Sequence, residues 1–253
     1  MSRIFILYRH VHARHNGRSR DPTKKRPSWF DFESSYLNLL DTIRASKFNS
    51  LITLEVVYDG TPIDFRSDFL ETVARVPQPF PIKISLAEAG SNITSWRVAM
   101  NIAERLDAAD DDFFYFLEND YLHVDNWIDK FFELIASGIY FDYLSLYDHR
   151  DKYFYPMYSD LSSKIFATNT HHWRTTPSTC GSFLVRRSIF LQDFDYWFRD
   201  IQDHVQFQEL YSKKCRTLLS PIPGLSTHCM EGYLSPAVDW NSIAAKSKRR
   251  LPL

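Results

Sequence analysis

The feature that most constrains this chain is the alternation of two hydrophobic periods along its first half. Short apolar runs fit buried strands at residues 4–8, 51–58, 82–86 and 113–117. Between them, residues 34–47, 64–76 and 91–106 repeat apolar side chains at helical spacing, with Asp31 or Ser34 as cap of the first segment. Strands alternating with helices of this length predict an α/β fold: a mostly parallel central sheet flanked by helices and joined by right-handed crossovers. The second half is less regular and more aromatic. It reads as a helix over 125–136, a strand over 140–146, strand pieces at 183–185 and 218–219, and a helix over 198–213. No repeat or linker interrupts the chain, so the simplest division is one domain with halves 1–125 and 126–240 and a basic tail, 241–253.

Composition removes several function classes. The chain has 7 glycines in 253 residues, and the closest pair, Gly224 and Gly232, is too far apart for G-x-G-x-x-G or G-x-x-x-x-G-K-[ST]. A nucleotide bound here therefore has its phosphates met by side chains or a cation, not by a glycine-rich loop. Thirty Lys+Arg against 31 Asp+Glu leave no global basic field for nucleic acid. Cys180, Cys215 and Cys229 are widely spaced without a C-x-x-C, which argues against a disulfide framework or zinc knuckle and for a reducing compartment. No apolar run approaches the roughly 18 residues of a membrane span. The first strand-like run begins at Ile4, too early for a signal peptide. The expectation is a soluble, cytoplasmic protein.

Charge is balanced overall and segregated locally. Residues 1–33 carry eight Lys/Arg against three acids, including Arg14, Arg18, Arg20, Lys24, Lys25 and Arg26; residues 104–129 carry nine acids against one Arg. This is either solvated surface or a cation-binding acidic loop facing a basic, phosphate-facing wall. The sharpest chemical signal is Phe113-Phe114-Tyr115-Phe116-Leu117-Glu118-Asn119-Asp120, an apolar strand running into Glu-x-Asp. In open α/β sheets, ligands bind beyond the carboxyl ends of the strands. Two carboxylates so placed suit a hard cation that keeps positions for phosphate and water. The competing reading is a helix cap at a strand-to-helix turn.

The order of elements decides between them by resemblance. Tyr8-Arg9 ends a first strand, Val56-Val57-Tyr58-Asp59-Gly60-Thr61 a second, Ala89-Gly90-Ser91 opens a helix with Arg97, and the Glu-x-Asp turn follows. Gly181-Ser182-Phe183, Gln202-Asp203-His204 and Thr227-His228 continue the pattern. This resembles GT-A glycosyltransferases of the family 2 type. The resemblance implies a nucleotide-sugar-binding half over 1–125 and an acceptor and catalytic half over 126–240. It implies that Asp59 meets the donor base, that Tyr8, Arg9, Arg97, Glu118, Asn119 and Asp120 line the donor site, and that Asp120, Glu118 and His228 hold Mn²⁺ or Mg²⁺. Glu118 departs from the family's Asp, and being one methylene longer it reaches the metal, the ribose or a metal-bound water.

Asp203 is the implied general base of an inverting transfer, with Gln202 replacing the family's preceding Glu; Asp193, Asp195 and Asp200 compete for the role. Trp173, Arg174, Thr175, Ser178 and Asp148 are candidate acceptor contacts, an aromatic face and hydroxyls being what a sugar requires. The implied partners are a nucleotide-sugar donor and a saccharide or lipid-linked saccharide acceptor. The tail Lys246-Ser247-Lys248-Arg249-Arg250 is either a solvated terminus or a peripheral contact with anionic lipid. The N-terminal basic loop is placed to meet a diphosphate or charged acceptor. Three other classes stay open: a nucleotidyltransferase, a metal-dependent hydrolase using His and Asp residues, which lacks a tight metal-ligand pair although His10 and His12 formally make H-x-H, and a non-catalytic carbohydrate-binding protein.

Overall fold

The structure is a computed structural model and describes residues 1–12 and 25–248. The basic segment from Arg14 to Lys24 and the tail residues Arg249 and Arg250 lie outside the described residues. The strands in chain order are β1 (Ile4–Val11), β2 (Ile52–Asp59), β3 (Ile82–Ala87), β4 (Phe113–Glu118), β5 (Tyr121–His123), β6 (Tyr143–Leu144), β7 (Ile165–Ala167), β8 (His172–Thr175), β9 (Phe183–Arg186), β10 (Leu218–Ile222) and β11 (Ser226–His228). The helices are α1 (Phe32–Ala45), α2 (Pro62–Arg66), α3 (Phe69–Ala74), α4 (Asn92–Arg105), α5 (Trp127–Ala136), α6 (Asp151–Phe154), α7 (Arg187–Gln192), α8 (Phe194–Trp197), α9 (Asp203–Lys214) and α10 (Trp240–Lys248).

Nine strands form one sheet in the order β3-β2-β1-β4-β9-β6-β10-β8-β7. Following the pairings outward from β1, only β9 and β8 run against the others, so the sheet is mostly parallel as expected. Strand alternation sorts the core onto two faces. Ile4, Ile6 and Tyr8 of β1 and Phe113, Tyr115 and Leu117 of β4 pack with α1 and α5 in one cluster. Phe5, Leu7, Phe114 and Phe116 pack with α4, α7 and α9 in the other. This full burial on both faces explains why these strands read as continuous apolar runs.

Local chemistry sets the element ends. Asp31 caps α1, accepting from Ser34 N at 2.6 Å, and Ser91 caps α4, accepting from Thr94 N at 3.2 Å. The helix expected over 64–76 is two short helices, because Asp68 starts a new cap by accepting from Leu70 N at 3.1 Å. The helix expected over 198–213 begins only at Asp203, after an extended Gln202. The strand expected over 140–146 shortens to Tyr143–Leu144.

A second, two-stranded sheet pairs β5 with β11 and so carries His228 alongside Tyr121. Gly224 in the turn before β11 is required by close packing: a Cβ there would stand 2.9 Å from Ser235 Cβ. The basic tail expected from 241 begins as part of a helix. Trp240, Ala244 and Ser247 of α10 are buried, and Lys246 pairs with Asp125, so this segment through residue 248 is a docked helix. Among the described residues, no helix is long and apolar enough to cross a membrane.

Candidate functional site

The carboxyl ends of β1 and β4 bring Arg9 and Glu118 side by side as register partners. Arg9 Nη2 donates to Glu118 Oε1 at 3.1 Å, and Nη1 donates to Asn92 Oδ1 at 2.8 Å. The guanidinium also stands 5.2 Å from the Trp96 ring centroid, a cation–π distance. Ser182 Oγ accepts from Glu118 N at 3.1 Å, which ties the β4 end to the segment leading into β9. Arg9, Asn92, Trp96 and Glu118 line a cavity of about 400 Å³ together with Gly181, Trp197 and Asp203.

A second cavity of about 480 Å³ is lined by His149, Lys152, Tyr158, Ser178 and Asp203 among others. Lys152, its side chain 2% exposed, donates to Tyr158 Oη at 2.8 Å and Ser178 Oγ at 3.1 Å. Burial, with Lys152 nearby, pushes the His149 pKa well below its ordinary value, so this imidazole is neutral. Its Nε2 lies 2.9 Å from Thr179 Oγ1. Cys180 and Asp203 line both cavities. Burial, reinforced by Glu118, pushes the Cys180 thiol up to about 12, which keeps it protonated. Asp203, exposed in the first turn of α9, is the carboxylate shared by the two spaces.

Asp120 lies in a different setting from Glu118. Its Oδ2 accepts from Arg26 Nη2 at 2.6 Å and lies 3.0 Å from His228 Nε2. Its Oδ1 is buried without a hydrogen-bond partner among the described residues. Burial raises the Asp120 pKa, but the His228 and Arg26 charges outweigh it and hold the carboxyl well below the usual range. His228 stacks on Tyr121, with centroids 5.1 Å apart and planes 3° from parallel. Asp120 and His228, both expected at a metal, thus stand together, whereas Glu118 is turned to a different partner. Glu118 is engaged by Arg9, Arg26 occupies the Asp120 carboxylate, and no group of three His, Cys, Asp or Glu among the described residues gathers for a metal.

Other expected donor contacts are placed as follows. Asp59 ends β2 and its Oδ1 accepts from Ala89 N at 2.8 Å and Gly90 N at 3.3 Å, fixing the turn into α4. Asn119 Nδ2 lies 3.3 Å from His10 Nδ1. Tyr8 is a core residue, 5.1 Å from Tyr36 between ring centroids, and corrects the expectation of a donor contact. Arg97 faces away from the first cavity's lining and donates to Phe198 O at 2.8 Å. It braces the cavity from behind, as Trp96 Nε1 does by donating to Trp197 O at 3.1 Å.

The acceptor expectations divide. Trp173 is fully buried in the core and offers no face for a sugar, because β8 turns it under the sheet. Thr175 pairs with the edge strand, accepting from Lys164 N at 2.9 Å. Arg174 and Asp148 form a buried ion pair of 2.7 Å. Burial pushes the Asp148 pKa up despite Arg174. Of the five, only Ser178 lines a cavity described above.

Several residues were not legible from sequence. Arg26 belonged to a general basic run. His10 on β1 and His12 just past its end both reach Asp68, with His10 Nε2 at 3.4 Å and His12 Nδ1 at 3.2 Å from Oδ2. Burial raises the Asp68 pKa, but hydrogen bonds from His10 and Leu70 N lower it overall. The sequence showed the two histidines as a formal H-x-H; nothing local gave their partner.

Sheet order, the antiparallel β9 beside β4 and the β5–β11 ribbon define a GT-A-like α/β fold. No protein-family model matches the sequence, and no curated protein matches it either. Among solved structures, TarS 1–349 of S. aureus is similar over 99% of this chain and 66% of its own length, at 12% identity and a TM-score of 0.52. The chain thus spans just under two thirds of that protein. The same TarS segment in complex with UDP gives a TM-score of 0.50 over 99% of this chain and 67% of its own, at 12% identity. A cytidylyltransferase from Leptospira borgpetersenii is similar over 100% of this chain and 89% of its own, at 12% identity and a TM-score of 0.50.

Proposed function

We propose that this protein is a nucleotide-sugar-dependent glycosyltransferase acting on a saccharide or lipid-linked saccharide, with Asp203 as general base. The observation that carries the reading is the position of Asp203, which lines two adjoining cavities. A transferase must hold donor and acceptor on either side of the bond to be made. The group that takes the acceptor's proton must stand between them. The other shared residue, Cys180, keeps its proton through burial.

In this reading the sugar end of the donor enters the first cavity, where Arg9, Asn92 and Glu118 converge. The acceptor enters the second, among the Ser178 and Tyr158 hydroxyls and the neutral His149. Asp203 accepts the proton of the acceptor hydroxyl as its oxygen bonds to the anomeric carbon. The bond from that carbon to the diphosphate breaks on the opposite face, so configuration inverts and a nucleoside diphosphate leaves. The UDP held by TarS and the cytidylyltransferase among the similar folds make a nucleotide-containing donor a reasonable partner for this scaffold. The resemblance of the sequence motifs to GT-A glycosyltransferases supports glycosyl over nucleotidyl transfer, as does the missing glycine-rich loop.

The test is to incubate the chain with UDP-, GDP-, CDP- and TDP-sugars and a mixed saccharide pool, reading acceptor mass. Gain of one glycosyl unit, absent in Asp203→Asn, is expected. Sugar released only to water, never to an acceptor, would count against the transferase in favour of a hydrolase.

A further inference from the structure

Arg26 stands where the glycosyltransferase resemblance puts a metal ion. Its Nη2 donates to Asp120 Oδ2 at 2.6 Å, its Nη1 donates to Cys229 O at 2.9 Å, and its guanidinium lies 5.0 Å from the Phe30 ring centroid. His228 Nε2 is 3.0 Å from the same carboxylate oxygen and 3.4 Å from Arg26 Nη1, so the imidazole donates to the carboxylate and leaves the guanidinium to its other partners. The cation is thus fixed by a carboxylate, a carbonyl and a ring. The Arg26 side chain still keeps 27% of its surface exposed. It is held and accessible at once, as a preorganised anion contact requires.

The residues expected to ligate an ion fit one poorly. Glu118 is committed to Arg9, which leaves Asp120 and His228 as the remaining pair. An ion at Asp120 would have only the unpaired Oδ1 open to it unless it displaced the charge-assisted bond of 2.6 Å to Oδ2, and it would stand beside the Arg26 guanidinium charge. It would then find one carboxylate and one imidazole, a thin set for a hard cation that prefers oxygen. A guanidinium is a weaker charge than a divalent ion, but its planar fork matches pairs of phosphate oxygens.

We propose that Arg26 supplies the positive charge that holds the donor's diphosphate, so that nucleotide binding needs no divalent ion. This rests on the nucleotide-sugar reading given above. Asp120 and His228 act as positioning residues: Asp120 aims the guanidinium, and His228 fixes the carboxylate that aims it. The N–H groups of Arg26 not used by Asp120 and Cys229 donate to non-bridging phosphate oxygens. No covalent change is involved; the contact stabilises negative charge as the nucleoside diphosphate departs.

The experiment is calorimetric titration of the whole chain with UDP, CDP, GDP and TDP, each in excess EDTA and again with Mn²⁺. The nucleotide that binds is expected to do so equally in both, within about threefold, and Arg26→Ala is expected to weaken it about tenfold or more. Arg26→Lys, which restores charge without the fork, is expected to fall between the two. If Arg26→Ala shows no cooperative melt, Arg26→Gln, closer in size, replaces it. Binding that requires Mn²⁺ overturns this inference and leaves the nucleotide reading standing. Undiminished binding by Arg26→Ala in EDTA overturns it too. No binding of any nucleoside diphosphate under either condition removes both.

Discussion

Arg9 and Glu118 are register partners on β1 and β4 and close an ion pair of 3.1 Å in the wall of the first cavity. The pair is asymmetric: the Arg9 side chain is 6% exposed and that of Glu118 25%. Arg9→Met therefore leaves a carboxylate that water still reaches, and costs less than breaking a fully buried pair. The expected loss is about 1–3 kcal/mol in urea unfolding. The same variant removes the cation from the cavity, so donor binding by calorimetry is expected to fall about tenfold or more. Unchanged donor affinity would move the donor away from this cavity.

Asp203 is exposed in the first turn of α9, so Asp203→Asn removes a base without disturbing the core. Turnover is expected to fall by about 10²–10⁴-fold, the usual contribution of a positioned general base. Melting temperature and donor affinity are expected to stay close to wild type. A variant that transfers sugar at the wild-type rate would hand the role to another group.

Acid sensitivity follows from His123. Burial pushes its pKa down to about 3, and its Nε2 lies 2.8 Å from Tyr115 Oη. The unfolded chain takes a proton there near the ordinary value of 6.5, whereas the folded chain does not until about 3. Stability from this group is therefore intact above pH 6.5 and lost as pH falls through that window. The slope is about 1.4 kcal/mol per pH unit for one such group. Urea midpoints measured across this range are expected to fall with acid, and His123→Gln to flatten the dependence.

Trp173 separates packing from sugar recognition. It is fully buried, so Trp173→Ala is expected to cost about 3–5 kcal/mol, while Trp173→Phe costs much less. Its Nε1 has no hydrogen-bond partner among the described residues, so replacing the indole leaves no acceptor stranded. Acceptor affinity of Trp173→Phe is expected to match wild type. A selective loss of acceptor binding, with stability retained, would restore the stacking role.

Much of the fold was readable because its strands are buried on both faces and its helices carry strong periodicity and side-chain caps. Residues 113–117 could hardly be anything but a central strand, and Glu118 at its end duly lines a cavity. The short elements were not readable. β5 and β11 are three residues each and exist because they pair with one another. The single helix expected over 64–76 failed because Asp68 answers His10 on β1 and His12 just past it as well as a backbone amide. At the site, Asp203 and the Asp120–His228 pair followed from element order. Arg26 did not, since its contact with Asp120 spans 94 residues and a basic run gives no clue which arginine turns inward. Trp173 was misread because composition cannot tell an aromatic platform from an aromatic core.

What leaves the donor tests the account most directly. Phosphorus NMR follows the leaving group in two parallel incubations of the protein, one with sugar nucleotides and saccharide acceptors, the other with nucleoside triphosphates and sugar phosphates. Glycosyl transfer predicts that a nucleoside diphosphate accumulates as the acceptor gains its sugar, and that Asp203→Asn abolishes both signals. Pyrophosphate released from a nucleoside triphosphate and a sugar phosphate, with no glycosylated acceptor, would contradict the account and make this fold a nucleotidyltransferase.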